Sequence, residues 1–77
     1  MKPDDRALLL AVYDRQPGEF VRDIATRSGI HPKRVAAILD KWTRAGWYDY
    51  GVSLDLGWLT PAGKEAAERV KGETRNA

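Results

Sequence analysis

The chain has 77 residues, room for one small domain and a core in which each large side chain counts. It has no cysteine, which excludes disulfides and thiolate-bound metal, and a single histidine leaves few catalytic constellations. Net charge is only +2, but residues 22 to 44 hold six basic side chains against two acidic ones, a local +4.

The opening "MKPDDRALLLAVYD" is broken by acids and has no small-residue cleavage site, so it does not read as a signal peptide. Its apolar run "ALLLAV" is far too short to span a bilayer. A cytoplasmic setting is therefore expected. Asp4 or Asp5 is expected to cap a first helix that runs to about Arg15, with Leu8, Leu9, Val12 and Tyr13 on its inner face. "QPGE" ends it, because proline cannot continue a helix and glycine releases the backbone. "EFV" then reads as a brief extended piece, here expected as a short strand.

A second helix is expected from about Arg22 to Ser28, with Gly29 as its left-handed C-terminal residue and Ile30 returning to the core. Ala25 suits a close helix crossing. Pro32 favours the first turn of a third helix reaching about Ala45, whose inner stripe is Val35, Ile38, Leu39 and Trp42. His31, beside Pro32, reads as a turn residue. Lys33, Ala37, Asp40 and Arg44 face outward on the helical wheel, with Arg34 and Lys41 to one side.

After Gly46 the pattern turns aromatic and branched. "WYDYGVSLDLGWLT" reads as a β-hairpin with a tight turn at "GVS". A turn centred on Val52 would set Asp49 opposite Asp55, a repulsive pair unless the register differs or a basic group lies near them. Trp42, Trp47 and Trp58 are expected in core and hairpin packing, while Tyr48 and Tyr50 are too many for so short a hairpin to bury. Thr60 caps a fourth helix that begins at Pro61 and carries a thin apolar face of Ala66, Ala67 and Val70. Residues 72–77 are expected to fray. The whole reads as a single domain over 1–77 with its core over about 5–71, mostly helical α+β.

"DIATRSGIHPKRVAAIL", "AGWYDY" and "LTPAGKEAAERV", in that order and spacing, resemble the winged helix-turn-helix domains of MarR- and PadR-type bacterial transcriptional regulators. The resemblance covers about residues 5 to 71. It implies a three-helix core, a two-stranded hairpin wing and a C-terminal helix, with the third helix entering the major groove of double-stranded DNA. A helix about 10–12 Å across fits that groove. On this reading Lys33, Arg34 and Ala37 meet base edges, and Arg22, Arg27, Lys41 and Arg44 meet phosphates. For Arg22 and Arg27, pairing with local acids such as Asp23 is an equal expectation.

The wing departs from the family pattern. Residues 45 to 63 contain no lysine or arginine but do contain Asp49 and Asp55, which suits a phosphate backbone poorly. Two other readings follow. The wing could be a protein-interaction surface through Tyr48, Asp49, Tyr50 and Asp55. Alternatively, the protein could be an architectural DNA-bending protein of the excisionase kind, from a phage or mobile element. No cofactor, no metal and no enzymatic activity are expected. The sequence allows a homodimer without specifying one.

Overall fold

The computed structural model describes residues 1–75 and arranges them as four α-helices and a two-stranded antiparallel sheet, an α+β fold dominated by helix. The elements are α1 (Pro3–Tyr13), α2 (Val21–Arg27), α3 (Pro32–Ala45), β1 (Tyr48–Asp49), a 3₁₀ turn (Leu54–Leu56), β2 (Trp58–Leu59) and α4 (Pro61–Arg75). None of the helices is long and apolar enough to cross a membrane.

α1 starts one turn-position earlier than expected. Pro3 takes the first helical place behind Lys2, which has no side-chain cap. Asp4 and Asp5 therefore lie in the first turn, where negative charge opposes the helix dipole favourably. The helix also stops at Tyr13, short of Arg15. The "EFV" segment is not a strand. Phe20 has an extended backbone as the residue before α2, and Val21 already begins the helix.

Helices α2 and α3 end in the same way. The amide of Ile30 donates to the Ala25 carbonyl at 2.9 Å and that of Gly29 to Thr26 at 3.0 Å, with Gly29 at φ +77°. At the end of α3, Trp47 donates to Trp42 at 2.9 Å and Gly46 to Thr43 at 3.2 Å, with Gly46 at φ +80°. This paired bonding satisfies carbonyls that a helix end otherwise leaves free. It also swings Ile30 and Trp47 back towards the core, and Ile30 is buried there.

The core joins Leu8, Leu9 and Val12 of α1 to Val21, Ile24 and Ala25 of α2 and to the whole expected stripe of α3. Ala66, Ala67 and Val70 close it from α4. Ala25 is completely buried, as a close α2–α3 crossing requires. α4 does not fray at Gly72 but continues to Arg75; residues 76 and 77, the end of the expected tail, lie outside the described residues.

The hairpin differs most from expectation. Tyr48 pairs with Leu59 and Asp49 with Trp58, so Asp49 and Asp55 do not face each other. In place of a tight turn at Val52, residues 50 to 57 form a longer connection containing the 3₁₀ turn. Gly57 explains the detour. A Cβ there would come within 2.6 Å of the Tyr48 phenol and 2.5 Å of the Asp49 carbonyl, so the chain passes where only glycine fits. Thr60 then fastens the hairpin to both neighbouring helices. Its hydroxyl donates to the Gly46 carbonyl at 2.5 Å and accepts from the Gly63 amide at 3.2 Å, the cap expected for α4.

Candidate nucleic-acid interface

α3 is strongly amphipathic, with Val35, Ile38, Leu39 and Trp42 buried and every other residue from Pro32 to Lys41 exposed. His31 caps it: its Nδ1 accepts the Lys33 amide at 3.2 Å, so its side chain serves the helix entry. Burial of one stripe turns Lys33, Arg34, Ala37 and Lys41 to solvent around an open groove, which Lys2 and Asp5 complete. Ala36 and Ala37 keep the middle of this face low. Arg44 lies one turn further on, exposed like the others.

The structure gives these cations partners that sequence reasoning missed. Arg34 pairs with Asp4 at 2.7 Å, and Lys41 bonds Asp5. Arg44 pairs with Asp40, four residues before it, at 2.8 Å. On α2, Arg27 pairs with Glu19, and Arg22 lies 3.6 Å from Asp55 while its guanidinium also covers the Phe20 ring. Asp23 is the partner of neither. Among the described residues, Lys33 and Lys2 are the cations of this surface with no acidic partner. Adjacent acids at the start of α1 were visible in the sequence. Their meeting with α3 was not, because it depends on how α1 crosses the core.

These pairs are not equivalent. Arg22, Arg27, Arg34 and Arg44 are well exposed, where an ion pair is worth no more than about 1 kcal/mol and is screened by salt. Such a pair can exchange its acid for a phosphate at little cost. Asp5 is only 3% exposed, and the Lys41 ammonium is the cation that satisfies its carboxylate. Removing Lys41 would leave that acid buried without a counter-charge. Glu19 has its carboxyl held below the usual carboxylate range, first by accepting the Gln16 backbone N–H at 3.0 Å and then by Arg27.

The hairpin presents different chemistry. Tyr48, expected at a protein-facing surface, is 2% exposed; its hydroxyl donates to the Leu54 carbonyl, and burial pushes its phenol above its ordinary value. It belongs to the core and offers no surface to a partner. Asp49 and Tyr50 are exposed, and Asp55 is half-buried beside Arg22. Trp42 and Trp47 pack in and against the core, but Trp58 stands half out of it. Arg15, which nothing in the sequence singled out, reaches across to donate to the Gly57 carbonyl at 2.5 Å and so ties the end of α1 to the hairpin.

The described residues hold no cluster of three or more histidine and acidic side chains able to bind a metal ion. Comparison with protein-family models, with curated proteins and with solved structures returned no match to this chain.

Proposed function

We propose that this chain is a small double-stranded DNA-binding protein of winged-helix type, a transcriptional regulator that lays α3 in the major groove. The observation that carries this reading is the outer face of α3: Lys33, Arg34, Lys41 and Arg44 exposed around two small alanines on a helix whose opposite stripe is fixed in the core. The order of elements, three helices, hairpin and fourth helix, supports it, as does the resemblance to MarR- and PadR-type regulators. Lys33, with Arg34 beside it, is the candidate for guanine O6 and N7, and Ala37 allows the close approach such contacts need. Arg22, Arg27, Lys41 and Arg44 are assigned to phosphates. Arg22, Arg27 and Arg44 exchange weak surface pairs for them, whereas Lys41 keeps its bond to Asp5 and adds a phosphate on its exposed side.

The test is binding to random-sequence duplex DNA, titrated from low to physiological salt. Affinity that falls steeply with salt is the expected result, because each phosphate neutralised releases counterions. No binding at low salt would sink the reading. A protein-interaction role would then take its place, resting on exposed Asp49 and Tyr50 in a stretch, residues 45 to 63, without lysine or arginine.

A further inference from the structure

The hairpin tip has a composition that phosphate contact does not explain. Val52 is fully exposed, and Tyr50 and Leu56 beside it are each close to half exposed. No cation lies anywhere in residues 45 to 63, and the segment's two acids are both set away from the tip. Asp49 sits at the base of the hairpin, where its carboxylate accepts the Tyr50 amide at 2.9 Å, and Asp55 faces Arg22. The segment Gly51-Val52-Ser53 is therefore built of small residues and uncharged, with Val52 as its apolar side chain.

The tip stands on a braced base. Tyr48 bonds the Leu54 carbonyl from within the core, and Arg15 holds the Gly57 carbonyl. The 3₁₀ turn packs on α2. The approach of Asp55 to Arg22 marks where the hairpin stands: beside the first turn of α2, on the side that the proposed function turns to the DNA backbone.

We propose that the hairpin tip is an apolar wedge, with Val52 entering a base step from the minor groove and kinking the duplex. This rests on the DNA-binding reading. An apolar side chain gains nothing over phosphates, but it gains when set against the faces of partly unstacked base pairs. Unstacking requires a rigid base, which the Tyr48 and Arg15 hydrogen bonds supply. It also requires a slender tip, since the minor groove is only about 6 Å wide. The preferred substrate is then duplex DNA with a flexible pyrimidine–purine step, where kinking costs least.

The experiment uses a duplex of about 30 base pairs with central TA steps, labelled with a donor and an acceptor dye at its two ends. Wild-type protein is expected to raise energy transfer between the ends and to make a central thymine reactive to permanganate. Val52→Ser, a change at a fully exposed position, is expected to bind the same duplex but lose more than half of the bend and the thymine reactivity. Leu56→Ser is expected to lose a smaller part. Bound DNA that stays straight, or that bends equally with Val52→Ser, overturns the wedge while leaving DNA binding intact. The second outcome would hand the apolar tip to a protein partner. No binding by the wild-type protein would instead overturn the proposed function itself, together with the wedge.

Discussion

The helical corner of α2 and α3 and the hairpin that follows it solve the same problem in opposite ways. Both must hold a short piece of chain rigidly against a small core. The corner does so with apolar stripes and two glycine-terminated helix ends, which leaves its outer surface free for charge. The hairpin has strands of only two residues each and cannot be rigid on ladder bonds alone. It borrows side chains from elsewhere: Arg15 from beyond α1, Arg22 from α2, and its own Tyr48 turned inward. Positive charge at the corner is thus available to a ligand, whereas the hairpin has no cation of its own to offer. What the hairpin leaves outside is Asp49 at its base and the apolar Val52 at its tip.

That contrast predicts a steep difference between two glycines. A Cβ on Gly63 would run into the Trp47 carbonyl and the Leu59 side chain, at the joint where hairpin and α4 meet. Gly63→Ala should therefore cost about 3 kcal/mol or prevent folding, as forced overpacking against backbone does. Gly51→Ala, with nothing within 4 Å of the new atom, should stay within about 0.5 kcal/mol. Urea denaturation compares them directly, and equal losses would mean that the joint is looser than its geometry.

At the corner, Lys33→Ala should weaken binding to a selected DNA site by about 1–3 kcal/mol, the range of a good base contact. Arg44→Ala should weaken all sequences similarly and lower the salt slope by about 1. If Lys33→Ala and Arg34→Ala both bind as tightly as wild type, the assignment of base contacts falls. Asp5→Asn sharpens the same comparison from the other side. It releases Lys41 from its buried counter-charge, so DNA affinity and its dependence on salt should both rise.

These sites differ in how far they can be seen in the sequence, and the reason is range. The four-residue inner stripe of α3, Gly29, Gly46 and the Thr60 cap are local patterns, and each stands where its spacing puts it. The acids that meet Arg34 and Lys41 are about 30 or more residues away along the chain, on a helix whose crossing angle no local rule supplies. The tight turn expected at "GVS" is absent for a third reason. "GVS" resembles a turn, but Gly57 is the glycine the fold needs, because the Tyr48 phenol must pass against it. A glycine required by close approach looks, in sequence, the same as one required by a turn. Tyr48 was misplaced along with it, since only the longer loop brings the Leu54 carbonyl down to its hydroxyl.

The smallest expected effect concerns that same tyrosine and tests whether it is truly structural. Burial raises the Tyr48 phenol above its ordinary value near 10, with Arg15 opposing the shift only in part. The folded state thus keeps the proton more tightly than the unfolded chain. Its contribution to stability is complete below pH about 10 and is lost as pH climbs through the raised value. Tyr48→Phe isolates this contribution. It should be less stable than wild type at pH 8 by about 1 kcal/mol, the worth of the lost hydrogen bond. The difference should shrink above pH 10, because the variant has no phenol left to ionise. A gap that stays constant to pH 11 would mean that the Tyr48 hydroxyl reaches water, and that the hairpin is not braced from within.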